Sequence, residues 1–296
     1  MRKTAGDQSR SAIRDGVPLH DAGKTPVFQW TGDDAAVCLW WLGQAGFAIA
    51  GANVRLLIDA YLSDSLAQKY RGEEFPHERM APSPVAPDAV RGVDVALCSH
   101  AHTDHMDPGT LGPLVANNPQ VRVVVPRAVR DEAEARGAPA ERIVPINAGE
   151  SVTVAGVTIE AVPAAHEELQ QNGAGEHRFL GYLLDVAGVR IYHSGDCVPY
   201  SGQADDVRRL SADIALLPVN GRDAFRLERG VLGNFTAEEA CELCAAAAIP
   251  VMIPHHWGMF EFNTVPTEGI QAVARRFEGR VRCVTPTVGG CFVIDV

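Results

Sequence analysis

One short stretch of the chain concentrates groups that bind metals: His100-Ala-His102-Thr-Asp104-His105. Imidazole suits zinc, iron, copper or nickel, and a carboxylate adds oxygen donors. His100 and His102 stand two apart, so on extended backbone they share a side. His105, next to Asp104, points elsewhere once the chain turns, and that split suits a pair of metal ions better than one. Further donors follow apolar runs: His166 after VTIEAVPA, Asp196 after VRIYHSG, and His255 and His256 after IPVMIP. Taken singly, each reads as a satisfied loop histidine or a turn aspartate. Beside the first cluster they read as the rest of a ligand set. Asp59 closes the run VRLLID, and Asn220-Gly221-Arg222-Asp223, with Arg226 just beyond, follows IALLPV. Arg222 or Arg226 could clamp a phosphate or carboxylate in bidentate fashion. The competing reading is an ion pair that only shapes its own loop.

These donors need a frame that brings strand ends together. From Val37 onward the chain supplies short apolar runs separated by turns: VCLWWL, GFAIA, VRLLIDA, VDVALCS and VRVVVP, then a second group from ERIVPI to SADIALLPV. They read as strands. TAEEACELCAAAA reads as a helix with Thr236 as N-cap and Glu239 in the capping-box position. RDEAEARG and PTEGIQAVARRF read as further helices, and CFVIDV as a last strand. The organisation is therefore α/β, two sheets covered by helices. Residues 1–36 read as a polar arm partly ordered against a domain spanning 37–296. The Pro-rich stretch 62–91 reads as a long loop that covers the site. Gly43-Gln-Ala-Gly46 reads as a hairpin turn, and Cys241 and Cys244 as helix cysteines facing the core.

Composition narrows the partners. The 296 residues carry 37 acidic against 26 basic side chains, a formal net charge of −11. Phosphate backbones want a basic face, so nucleic acid is excluded as the main partner. No apolar run approaches the ~20 residues of a membrane helix, and the first residues lack the apolar core of a secretory signal. The seven cysteines show no framework spacing. A cytoplasmic protein with reduced thiols, not bound to membranes, is the expectation.

The pattern HxHxDH, a later lone histidine, a Gly-Asp after a strand and a final histidine after a strand resembles the metallo-β-lactamase superfamily. WWLGQAGFAI, LLIDAYLSDS, VDVALCSHAHTDHMDPGTL, LLPVNGRDAFRLERGVLGNFTAEEA and IPHHWGMFEFNT narrow it to the L-ascorbate-6-phosphate lactonase-like family. The resemblance implies a four-layer αβ/βα sandwich with two divalent metal ions, Zn²⁺, Mn²⁺ or Fe, between the sheets. It assigns His100, His102 and His166 to one ion, and Asp104, His105 and His256 to the other, with Asp196 bridging. The family pattern Ile-Pro-x-His-aromatic-x-Met-Phe selects His256 over His255, leaving His255 to the pocket or the support of the site. It gives Asp59 the task of orienting a ligand histidine, and it suggests a homo-oligomer. Where the family often shows Gly-Asp-Thr, this chain has Gly195-Asp196-Cys197.

The expected activity is metal-dependent hydrolysis. A lactonase would open a small anionic sugar lactone, phosphorylated or not, by attack of a metal-activated water. Asp104 would be the catalytic carboxylate, with Asn220, Arg222, Arg226 and His255 against the substrate. Two alternatives stand beside it: a phosphodiesterase acting on a small phosphodiester or a phospholipid head group, and a metal-bearing module without activity.

Overall fold

The computed structural model describes residues 17–29 and 36–296. Fifteen strands form two sheets among these residues. The first sheet uses β1 (Leu19–Lys24), β2 (Val37–Gly43), β3 (Gly46–Gly51), β4 (Val54–Ile58), β5 (Val95–Leu97), β6 (Arg122–Pro126) and β7 (Ile143–Ile146). The second uses β8 (Ser151–Val154), β9 (Val157–Pro163), β10 (Leu180–Val186), β11 (Val189–His193), β12 (Ile214–Pro218), β13 (Val251–His255) and β14 (Arg282–Cys283). The last strand, β15 (Gly290–Ile294), returns to the first sheet and inserts between β1 and β2. Each sheet is antiparallel in its earlier strands and parallel in its later ones: β4 to β7 in the first, β11 to β14 in the second.

The layering follows from strand alternation. In β2 every residue is buried. Val37, Leu39 and Trp41 point into the core between the sheets, where they meet Ile159, Leu184, Ile191 and Ile253 of the second sheet. Cys38, Trp40 and Leu42 point the other way, toward α2 (Pro108–Asn117) and α3 (Arg130–Ala135). A short α1 (Ser65–Lys69) precedes these two helices. On the far side, α4 (Gln203–Leu210), α6 (Ala237–Ala247) and α7 (Thr267–Phe277) cover the outer face of the second sheet, with the one-turn α5 (Ala224–Leu227) between them in sequence. The result is the expected helix–sheet–sheet–helix sandwich. Thr236 and Glu239 form the reciprocal capping box at the start of α6, and Cys241 and Cys244 lie buried in the outer core.

Part of the arm expected at 1–36 is a strand. β1 pairs antiparallel with β15, Leu19 opposite Ile294, and only Leu19 of its six residues is buried. Residues 1–16 and 30–35 of that arm lie outside the described residues. No helix among the described residues is long and apolar enough to cross a membrane.

Candidate metal centre

The C-terminal ends of β4 and β5 in one sheet, and of β9, β11 and β13 in the other, open at the same edge of the sandwich. Backbone leaving these ends has spare hydrogen-bonding groups and room to aim side chains inward. β5 delivers His100 through His105, β9 delivers His166, β11 delivers Asp196 and β13 delivers His256. Tight backbone makes this convergence possible. Asp59 and His256 adopt left-handed conformations with φ of 46° and 60°, and Gln44 in the β2–β3 turn has 50°. Such non-glycine residues cost about 1 kcal/mol or more each, so packing around the site holds them there. Gly195, one residue before Asp196, has φ 62°, and a Cβ on it would lie 2.8 Å from Leu180 O and from Ser99 Cβ. Only glycine fits this turn.

The seven donors meet. Ligand atoms of His100, His102 and His166 lie within 4.8 Å of one another, as do those of Asp104, His105 and His256, and of His100, His105 and Asp196. Asp196 sits between the first two groups. Its Oδ1 is 3.2 Å from His105 Nε2, and its Oδ2 is 3.2 Å from His256 Nε2 and 3.9 Å from His166 Nε2. The buried atoms His100 Nε2, His105 Nε2 and Asp196 Oδ1 accept or donate no hydrogen bond. Leaving a buried polar atom unsatisfied costs about 1–3 kcal/mol, and here several point into one space. Nitrogen and oxygen donors with unused lone pairs, aimed at a common point, fit divalent cations.

Burial and mutual charge divide the ligands. Burial depresses the pKa of His100 well below the ordinary histidine value, lowers that of His102, and brings His166 down to about 4, so these rings stay neutral. Burial also opposes charge on His105 and His256, but neighbouring carboxylates win, Asp196 foremost. They hold His105 well above its usual value and His256 at about 9. The same cationic rings outweigh burial at Asp104 and Asp196 and keep both carboxylates below their usual range.

Asp59 is fully buried behind the ligands. Its Oδ2 accepts from His105 Nδ1 at 2.7 Å and from Ser99 Oγ at 2.6 Å, and its Oδ1 accepts from the Ser99 amide at 2.7 Å. Ser99 Oγ in turn lies 2.9 Å from His100 Nδ1. In the neutral rings that a metal ion requires, one carboxylate therefore places the protons of both on Nδ1 and leaves both Nε2 atoms as donors to the metal.

Three residues that sequence reasoning passed over belong here. Ser99 is the relay just described. Gln44, read only as part of a turn, donates from Nε2 to Asp104 Oδ2 at 2.8 Å and lies 3.1 Å from His256 Nε2, while its carbonyl accepts the His256 amide at 2.8 Å. His193 accepts the Gly195 amide at Nδ1 (3.0 Å) and reaches Ala45 O through Nε2 (2.8 Å), bracing the Asp196 turn against the other sheet. The Gly-x-x-Gly spacing around Gln44 and the position of Ser99 beside the histidine cluster were the available signals. Neither spells out a contact across the fold.

A cavity of about 670 Å³ stands over the donors, lined by His102, Asp104, His166, Asp196 and His256. The 62–91 stretch forms one wall through Leu66, Lys69, Tyr70, Glu73, Glu74, Phe75 and His77. The four residues expected against the substrate do not line this cavity, and their contacts show what holds them elsewhere. Arg222 is bidentate to Glu239 at 2.6 and 2.7 Å. Arg226 is held by Asp223 at 2.6 Å and by Asn263 Oδ1 at 2.7 Å. Asn220 is buried and donates to the same Asn263 oxygen at 2.8 Å. His255 stacks on His193, centroids 4.7 Å apart, in the core and away from the cavity. Ion pairing and burial use up Asn220, Arg222 and Arg226 in shaping their loop. Cys197 is buried too; its sulfur accepts from Ala165 N and Gln203 Nε2 and belongs to none of the donor clusters.

The family model described as beta-lactamase superfamily domain matches residues 54–257. A "UPF0173 metal-dependent hydrolase" of Methanoculleus marisnigri is 28% identical over 225 residues, 75% of this chain and 81% of the relative. A "Probable L-ascorbate-6-phosphate lactonase" of Escherichia coli O127:H6 is 25% identical over 259 residues, 75% of this chain and 71% of the relative. Among solved structures, the metallo hydrolase Igni18 of Ignicoccus hospitalis superimposes with a TM-score of 0.65 at 17% identity, covering 88% of this chain and 99% of that one. With more than half of its length under the family model, the chain belongs to the beta-lactamase superfamily domain family.

Proposed function

We propose that the protein is a metal-dependent hydrolase with two divalent cations, and that it opens lactones. One observation carries the reading: seven nitrogen and oxygen donors, several with orphaned buried atoms, converge beneath one cavity in two triads that share Asp196. Cations held there would lower the pKa of a coordinated water and polarise a scissile carbonyl. His100, His102 and His166 form one holding triad; Asp104, His105 and His256 form the other. Asp59 and Ser99 keep His100 and His105 in the tautomer that presents Nε2. Asp104 Oδ2 accepts from Gln44, which leaves Oδ1 to take the proton of the attacking water and pass it to the departing ring oxygen. The relatives' names support the class, metal-dependent hydrolase in one case and lactonase in the other. The pairing of Arg222 and Arg226 with acidic side chains weighs against a phosphate clamp in that loop, and so against phosphodiester substrates.

The test uses protein loaded separately with zinc, manganese and iron, each quantified by elemental analysis. Loaded protein is assayed on a lactone panel and on bis-p-nitrophenyl phosphate. The reading expects lactone opening, with His102→Ala and Asp196→Ala each losing at least about a thousandfold in turnover while unfolding as cooperatively as the parent. Near-parental turnover in both variants, or phosphodiester cleavage with every lactone intact, would overturn it.

A further inference from the structure

The cavity over the donors has a wall of rings that the hydrolase chemistry does not itself require. Tyr70 and His77 stack at 4.2 Å with planes 21° apart. His77 meets Phe260 edge-on at 5.0 Å and Phe262 at 4.7 Å, and Phe75 tilts against Phe262 at 4.9 Å. All five line the same cavity as the metal-binding donors. Phe260 is buried, whereas the other four are only half-buried. Ring surface thus remains open on the cavity side, where water meets it at a free-energy cost that an apolar ligand removes.

The wall is fixed before any ligand arrives. Two segments build it, and Arg79 locks the first. Its guanidinium is bonded to the carbonyls of Tyr61 and Ser63 and sits 4.4 Å over the Tyr61 ring. Met80 N bonds to Met259 O at 2.9 Å, joining the first segment to the second. His77 is held by its Nδ1 at 2.8 Å from Phe75 O, and burial keeps its ring toward the neutral form. A preorganised ring surface beside a reacting centre is a specificity device, because its ordering cost is met in folding.

The rim charges indicate what kind of ligand. Lys69, Arg136 and Arg229 line the cavity against Glu73 and Glu74, and Arg229 is paired with Glu74 at 3.1 Å. This balance disfavours a cationic guest for the rings. We infer that the substrate carries a flat apolar group, aryl-sized, next to the bond that is cleaved, and that Tyr70, Phe75, His77, Phe260 and Phe262 seat it. The inference rests on the lactonase reading and names its substrate class.

The experiment compares γ-phenyl-γ-butyrolactone with γ-methyl-γ-butyrolactone on metal-loaded protein, and titrates the two ring-opened hydroxy acids by calorimetry. A phenyl preference in kcat/KM of about tenfold or more, carried by KM, is expected. Phe262→Ala should cut that preference about fivefold and weaken the phenyl acid more than the methyl acid. Phe262→Leu, which keeps apolar volume without a ring, serves if the alanine variant unfolds. Equal handling of both lactones, an unchanged preference in the variants, or preference for a trimethylammonium-substituted lactone over the phenyl one would overturn the inference. If no lactone opens, the lactonase reading fails, and the calorimetric comparison of the two acids still decides the ring wall.

Discussion

Replacing Asp59 by asparagine is the sharpest probe of how the ligands are held. The swap preserves shape, and asparagine tolerates the left-handed backbone at φ 46°. The carboxylate now accepts three hydrogen bonds, from Ser99 N, Ser99 Oγ and His105 Nδ1, at 2.7, 2.6 and 2.7 Å. An amide can accept on one side only. With its oxygen toward Ser99 N, its NH₂ faces His105, and the neutral His105 ring must then carry its proton on Nε2, the atom 3.2 Å from Asp196 Oδ1. A cation would then have to displace that proton. With the amide reversed, the buried Ser99 amide loses its acceptor. Removing such an orienting partner costs about 10–100-fold in metal affinity, which is about 1.4–2.7 kcal/mol. A chelator-competition titration with zinc measures this directly, and circular dichroism checks the fold. The expected curve shows one class of site weakened by that factor. Affinity within twofold of the parent at every site, in a folded variant, would refute the claim that Asp59 sets the His105 tautomer.

Other outcomes follow from the same geometry. Gln44→Leu fills the same buried space but removes the donor to Asp104 Oδ2. Turnover should fall about tenfold, about 1.4 kcal/mol of barrier, with the melting temperature unchanged or higher because the unpaired Gln44 Oε1 is also gone; parental turnover would count against the assignment. In metal-stripped protein, His166 titrates near 4 and His256 near 9, against about 6.5 when unfolded. The depressed pKa means stability rises from about pH 4 to 6.5. The raised one means the contribution is complete below about 6.5 and is lost as pH climbs through 9. A melting temperature that still increases between pH 7 and 10 contradicts this. Arg222→Ala should cost no more than about 1 kcal/mol of stability, as an exposed pair with Glu239, and leave KM for anionic lactones as it was; a tenfold rise in KM would put Arg222 back at the substrate.

The sequence made some of this plain and hid the rest for a physical reason. His100 to His105 were readable because their chemistry lies in six consecutive residues. The strands were readable because alternation and buried apolar runs are local. The capping box at Thr236 and Glu239 is a four-residue signal. What escaped depends on contacts between distant segments. Nothing near Arg222 announces Glu239 as its partner, and nothing near Arg226 announces Asn263. Gln44 looks like any turn residue until β13 brings His256 against its carbonyl. β1 has almost no apolar alignment of its own, since LHDAGK buries a single side chain. It is a strand because β15 offers it an edge. His255 shows the limit from the other side: adjacent to a predicted ligand, it turns into the core, because β13 ends at His255 and the left-handed backbone at His256 sends the next side chain a different way.

The position of β15 governs how the molecule can be made. A ribosome releases β2 long before it reaches Gly290, yet β15 is the neighbour that covers one side of β2 and joins it to β1. Until then the nascent chain carries VCLWWLG, every residue destined for burial, with an open hydrogen-bonding edge. Such an edge is a template for pairing with another chain. Synthesis therefore passes through a sticky, half-closed intermediate. The final strand works as a latch, and truncations that remove it free two strands at once.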